Sequence, residues 1–257
     1  MKIGIFDSGL GGLIVTKAIC KAIPQYDYVY LGDTKRVPYG NRSHKEVYKF
    51  TKEAVEYLFK KEDCAIIIIA CNTASARALR EIQKEYDKVL GVLIPAAEEC
   101  VGFKRIGVLG TEGTIASGTF PKEIKKLNNR VKVFQNPAPM LVPIIETGDD
   151  NSADKFIIEY LKPLLSKKID ALVLGCTHYS ILKNKFKKYA GKNIRIISQD
   201  EIVPKKLKSY LTRHKEIKNK LSTKGTVKIL VTDITPNVKK LSQKWFEGKI
   251  KPKLINL

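Results

Sequence analysis

The sequence predicts an α/β fold made of two similar parallel-sheet domains, related by a pseudo-twofold axis with a crevice between them. Three observations carry this. Short β-prone apolar runs alternate with helix-forming stretches along the 257 residues. Ala65–Ala76 (AIIIIACNTASA) and Asp170–Ser180 (DALVLGCTHYS) share one plan: a buried strand, a small residue, a cysteine and a helix start. Their cysteines, Cys71 and Cys176, lie 105 positions apart. Finally, KIGIFDSGLGG matches RIGVLGTEGTI with Ile3 set against Ile106, an offset of 103, and DYVYL at Asp27–Leu31 has a weaker counterpart in RVKVF at Arg130–Phe134. Segments repeated in one order at one period indicate two copies of one unit.

Taken in order, Ile3–Phe6 is the first strand, and Asp7-Ser8-Gly9-Leu10-Gly11-Gly12 turns it into a helix reaching about Ile23. Those glycines let a ligand approach the backbone, but their spacing is neither a P-loop nor a dinucleotide fingerprint. Asp7 and Ser8 stand at a strand's C-terminal end, the usual ligand crevice of a parallel sheet, where they can also simply cap the helix. Asp27–Leu31 is the second strand. The loop Gly32–Gly40 (GDTKRVPYG) is longer than a plain strand–helix connection needs, which suits a binding loop. Helix Ser43–Lys60 leads to the buried strand Ala65–Ile69, where Asn72 and Thr73 are expected as N-caps of a helix continuing through ASARALREIQKEY. A short strand Val89–Ile94 precedes a helix starting at Pro95.

The second half opens with strand Arg105–Gly110 and loop Thr111–Thr114. Arg130–Phe134 and Leu141–Ile145 read as strands, with Pro137, Pro139 and Pro143 keeping the chain between them extended. Glu146 ends that segment before a turn, TGDDN. The Cys176 strand, a helix and strand Ile194–Ser198 follow. About 50 residues remain: a Lys-rich helical stretch, strand Thr226–Val231, helix Pro236–Phe246 and a tail.

Composition narrows the function classes. No apolar run approaches a membrane span, and MKIGIFDSG already reads as strand and turn rather than a signal peptide, so a cytoplasmic protein is expected. The five cysteines show no CxxC and no zinc spacing, which argues for free thiols; Cys20, Cys64 and Cys100 read as packing residues. The net charge is +21, of which +12 falls from Pro204 onward, where 14 Lys and one Arg face three acids. Such an excess suits anionic partners. Because no nucleic-acid reading motif accompanies it, a solvated lysine face is the simpler reading and nucleic acid is not expected as the primary partner.

Cys71 and Cys176 each sit where free backbone N–H groups and a helix dipole favour a thiolate. If the two halves face one another, one thiolate and one thiol flank a carbon, taking a proton from one side and returning it on the other. With a reference pKa of about 8.5, cysteine suits such general acid–base work. Asp7 stands ready to assist one thiol and His178 the other; Thr73, Thr177 and the helix-start N–H groups suit carboxylates. Other readings stay open at this point. They are small apolar packing cysteines, a redox disulfide, a capping or core His178, and a metal held by Cys71, Cys176 and His178. A Cys176–His178 nucleophile pair looks awkward, since residues two apart on a helix do not face one another.

FDSGLGG (6–12), LGDTKRVPYG (31–40), ACNTASA (70–76), GVLGTEGT (107–114) and LGCTHY (174–179) together resemble the glutamate racemase family, within the cofactor-independent aspartate/glutamate racemase superfamily. The resemblance runs in order from residue 3 to about 180. It implies that Cys71 is the base acting on D-glutamate and Cys176 the base acting on L-glutamate. Asp7, His178 and Glu146 then fall on assisting positions, and Asp7, Ser8, Tyr39, Gly40, Asn72, Thr73, Thr177 and His178 on substrate-binding ones. It further implies an active site in the cleft, no cofactor and no metal, a homodimer, and D-glutamate supplied for peptidoglycan. The implied domains are 1–94 with 207–257, and 95–206. The chain departs from the family's usual wording at Ile94, Ala138, Ser180 and Ile196–Ser198, none a catalytic position. No N-terminal extension of the kind seen in members activated by a cell-wall precursor is present, so no such activation is expected. The alternatives are a racemase of another acidic amino acid such as aspartate, or a secondary nucleic-acid-binding role.

Overall fold

The structure, a computed structural model, describes residues 1–148, 150–247 and 250–257. Ten strands occur among them: β1 Lys2–Asp7, β2 Tyr28–Gly32, β3 Cys64–Ile69, β4 Val89–Gly91, β5 Arg105–Gly110, β6 Lys132–Pro137, β7 Ala171–Gly175, β8 Arg195–Ile197, β9 Val227–Val231 and β10 Lys253–Leu254. They form a six-stranded sheet, β10-β9-β2-β1-β3-β4, and a four-stranded sheet, β6-β5-β7-β8, with every pairing parallel. The order β2-β1-β3-β4 reappears as β6-β5-β7-β8, so the sequence repeat is a repeat of topology. The end of the chain returns to the first sheet.

Strands β3 and β7 are buried along their whole length because helices cover both faces of each sheet, which explains their unbroken apolar runs. In each sheet the cysteine-bearing strand lies beside the strand that opens the repeat: Ile5 pairs with Ile68, and Gly110 with Gly175. This register puts the end of β1, with Asp7, next to the end of β3, with Cys71. One apolar core spans both halves, running from Ile3 and Leu13 through Leu109 and Leu174 to Val203 and Leu207. Helices Gly12–Ala22 and Gln199–Arg213 pack together within it.

Several expected elements differ. Leu141–Ile145 is not a strand but part of helix Leu141–Thr147, which buries Leu141, Ile144 and Ile145 on one face. Pro143 is harmless there, because first-turn N–H groups have no intrahelical acceptor. Helix Asp150–Leu165 was not anticipated, although Ala153, Ile157, Leu161 and Leu164 mark its buried stripe. The helix after Cys71 breaks at Ala78 into Asn72–Arg77 and Leu79–Glu85. The expected strand 89–94 stops at Gly91, and helix Leu93–Cys100 takes in Pro95. The expected loop Thr111–Thr114 is a helix start, Thr111 capping Glu112–Ala116. β6 sits a few residues later than Arg130–Phe134. The turn expected over 147–151 lies partly outside the described residues; of it, Gly148 closes helix Leu141–Thr147 in the left-handed region, at φ +78°.

Candidate active site

At the end of β3 the chain turns at Cys71 into helix Asn72–Arg77. The N-cap is Cys71 itself, rather than Asn72 or Thr73: its Sγ accepts the N–H of Ala74 at 3.4 Å. Ser8 Oγ lies 3.2 Å from the same sulfur. Burial first, then the charge of Asp7, push the Cys71 thiol up to about 12, against the opposing pull of Ser8 and Ala74.

Asp7 ends β1 and is 1 % exposed. Its Oδ1 accepts the N–H of Gly9 at 2.9 Å, and the Thr177 hydroxyl donates to Oδ2 at 3.5 Å. Burial raises its pKa, while the charge of His178, the N–H groups of Gly9 and Gly12 and the Thr177 hydroxyl act the other way. Asp7 thus reaches Cys71 through its charge and touches the second half through Thr177. Two glycines make room for this. A Cβ on Gly12 would stand 2.5 Å from Cβ of Asp7, and one on Gly11 would stand 2.4 Å from both His178 Nδ1 and Thr177 Oγ1. The glycine-rich turn is therefore shaped to admit side chains of the opposite half.

Cys176 follows β7. Its backbone is extended (φ −148°, ψ 138°) and the next residues, Thr177–Leu182, form a 3-10 helix. That geometry removes the awkwardness expected of a Cys176–His178 contact, for the sulfur lies 3.7 Å from His178 Nδ1. The other ring nitrogen, Nε2, is 3.0 Å from Glu146 Oε1. Burial alone lowers the His178 pKa; hydrogen bonds and charge from Cys176 and Glu146 outweigh it and push the imidazole up to about 10. In its protonated form His178 donates both N–H groups, one toward Cys176 and one toward Glu146. Trp245 packs against the imidazole edge-on, ring centres 5.4 Å apart.

These groups converge on one cavity of about 330 Å³, lined by Ser8, Cys71, Asn72 and Thr73 on one side and Glu146, Cys176, Thr177 and His178 on the other. Thr73 Oγ1 meets the Thr111 hydroxyl at 2.9 Å and the Thr114 hydroxyl at 3.2 Å, joining the two halves at the cavity wall. Tyr39 and Gly40 also line it. The Tyr39 hydroxyl is committed to buried Asp33 at 2.5 Å, and Asp33 also accepts from Arg36 Nε at 2.6 Å and Thr232 at 2.8 Å. Asp33 thereby holds the binding loop, a role that sequence reasoning missed although the residue stands inside the quoted LGDTKRVPYG motif. Asn72 has a partner that nothing in the local sequence announces: its Oδ1 accepts from Gln199 Nε2 at 3.0 Å.

No lysine or arginine lines the cavity among the described residues, despite the +21 net charge. A carboxylate there meets hydroxyls, an amide, backbone N–H groups and the His178 ring. The two sulfurs, one from each half, face the same space with different companions, Asp7 and Ser8 on one side and His178 and Glu146 on the other. All five cysteines are free thiols, Cys64 and Cys100 buried and Cys20 half-buried. Among the described residues no group of three His, Cys, Asp or Glu is placed to hold a metal ion.

Comparison with known proteins agrees with this architecture. Residues 4–201 match the model of the Asp/Glu/hydantoin racemase family. A curated relative, glutamate racemase 3 of Caldanaerobacter subterraneus, is 39% identical over 251 residues, which is 96% of this chain and 92% of the relative. Among solved structures, a glutamate racemase isoform from Bacillus anthracis superposes with a TM-score of 0.92 at 33% identity, covering 100% of this chain and 97% of that one. The glutamate racemase of Francisella tularensis, solved in complex with D-glutamate, gives 0.91 at 31% identity, covering 99% and 97%.

Proposed function

The chain belongs to the Asp/Glu/hydantoin racemase family, and we propose that this amino-acid racemase interconverts L- and D-glutamate by a two-base mechanism without a cofactor. One observation carries the proposal: two buried sulfurs, from equivalent strand ends of two repeated halves, line a single cavity. The solved glutamate racemases that share the fold support glutamate as the substrate.

Inverting a carbon's configuration with one base requires that base to reach both faces. Two bases on opposite faces avoid the movement. In the D-to-L direction, Cys71 as thiolate takes the Cα proton, and the C–H electron pair moves into the α-carboxylate. Cys176 as thiol then donates its proton to the opposite face. The reverse reaction exchanges the roles, and the two sulfurs swap protonation state in each turnover. Ser8 and the Ala74 N–H stabilise charge on Cys71. His178, held by Glu146, stabilises it on Cys176. Substrate carboxylates are held by neutral donors from Ser8, Asn72, Thr73 and Thr177 and from the Tyr39–Gly40 backbone.

The same reading assigns residues 1–94 with 207–257 to the Cys71 domain and 95–206 to the Cys176 domain. It makes the protein a cytoplasmic homodimer that supplies D-glutamate for peptidoglycan. Among the described residues no helix is long and apolar enough to cross a membrane. The test is a chiral assay on L-glutamate and L-aspartate side by side, with thiols reduced and without pyridoxal phosphate, metal or nucleotide. Accumulation of D-glutamate is expected; folded protein that turns over only aspartate, or neither, refutes the proposal.

A further inference from the structure

Gln199 opens helix Gln199–Arg213, directly after β8 in the second half, and is fully buried. It reaches 127 residues back along the chain to Asn72, the residue after Cys71 and part of the cavity wall. Gln199 Nε2 donates to Asn72 Oδ1 at 3.0 Å. Among the described residues, the other end of the Asn72 amide, Nδ2, has no hydrogen-bond partner, nor has Gln199 Oε1, and Asn72 is only 2 % exposed. A buried donor left unpaired costs as much as a lost hydrogen bond, and native structures rarely tolerate one without a use for it. Here the donor belongs to a residue of a cavity lined by no lysine or arginine among the described residues.

We infer that Gln199 is a positioning residue: it holds the Asn72 amide so that Nδ2 donates to a substrate carboxylate. The inference rests on the amino-acid racemase reading of this site. With substrate bound, the hydrogen bonds run in one direction, from Gln199 to Asn72 to carboxylate, and each strengthens the next. The chain of bonds starts in one half and ends at the catalytic wall of the other, so it couples the seating of helix Gln199–Arg213 to substrate affinity. An acceptor at position 199 reverses the polarity. An ionised glutamate there can only receive a hydrogen bond, which turns Nδ2 toward position 199 and points the Asn72 carbonyl at the carboxylate.

The test compares Gln199→Met, Gln199→Glu and Gln199→Asp with the full-length wild type. The readouts are D-glutamate affinity by calorimetry, kcat/KM for both enantiomers and the unfolding midpoint. Q199M keeps the volume and loses the donor, so affinity and kcat/KM are expected to fall about tenfold, the worth of one hydrogen bond to a charged group. Q199E is expected to fall about tenfold further. Q199D carries the same charge but is one methylene too short to reach Asn72, so it should follow Q199M. Q199E or Q199M within twofold of wild type overturns the inference, as does Q199D as impaired as Q199E, which makes charge alone the cause. Should an acidic variant fail to fold, Q199M decides alone. Wild type that binds glutamate without racemising it overturns the proposed reaction and leaves this inference to the affinities. Wild type that does not bind glutamate overturns both.

Discussion

Replacing Glu146 by Gln is expected to lower the pKa of His178 by about one unit, from about 10 to about 9. In the wild type, burial works against the charged imidazole, and contacts with Cys176 and Glu146 more than compensate. A hydrogen bond to a charged partner contributes about 1.5–3 kcal/mol. The Glu146 side chain is 36% exposed, so solvent screening selects the lower end, and about 1.4 kcal/mol corresponds to one pKa unit. The molecule carries its own reporter, since Trp245 is its single tryptophan and packs 5.4 Å from the imidazole, so its emission follows the His178 charge. Fluorescence titration of wild type and E146Q reads both midpoints. Stability gives a second reading with a definite sign. A histidine pKa raised by folding stabilises fully below its unfolded value, about 6.5, and loses that contribution as pH rises through about 10. The E146Q deficit is therefore constant below about pH 9 and gone above about pH 10. A wild-type midpoint near 6.5, or an unmoved midpoint in E146Q, refutes the reasoning.

Other perturbations have equally definite outcomes. Cys71→Ser and Cys176→Ser should each cut racemisation in both directions by about 10²–10⁴-fold, the usual worth of a general acid or base, measured by chiral assay. Because the equilibrium constant between enantiomers is one, kcat/KM must fall equally in both directions, and a loss confined to one direction would show contaminating activity. Gly11→Ala places a methyl 2.4 Å from His178 and Thr177. It should cost about 1–3 kcal/mol in urea unfolding and reduce turnover far more than a surface substitution does. Ser43→Ala removes the capping box that Ser43 and Glu46 form at the start of helix His44–Lys60. It should lower stability by about 1 kcal/mol and leave kcat/KM unchanged.

The strands that build the site were legible because they are buried on both faces. Ile66 to Ile69 and Leu172 to Leu174 are continuous apolar runs, and the shared offset of Ile3 with Ile106 and Cys71 with Cys176 carried the repeat. Leu141–Thr147 was misread because a short apolar run does not tell strand from helix, and Pro143 argues against helix only beyond the first turn. The Cys176–His178 contact depends on an extended cysteine followed by a 3-10 turn, a backbone choice that no residue pattern announces. Gln199 and Asn72 meet only because the two halves pack, and Trp245 reaches His178 from the last helix for the same reason. What sequence hid was therefore the positioning layer behind the sulfurs.

The central claim is that two sulfurs work on opposite faces of one carbon, and proton exchange with solvent tests it directly. Purified protein converts L-glutamate in heavy water, and the D-glutamate formed early in the reaction is analysed at Cα. The account requires deuterium at that carbon, because the proton delivered by the second sulfur comes from solvent and not from the substrate. D-glutamate that retains the substrate's own hydrogen would mean one shared base and would contradict it.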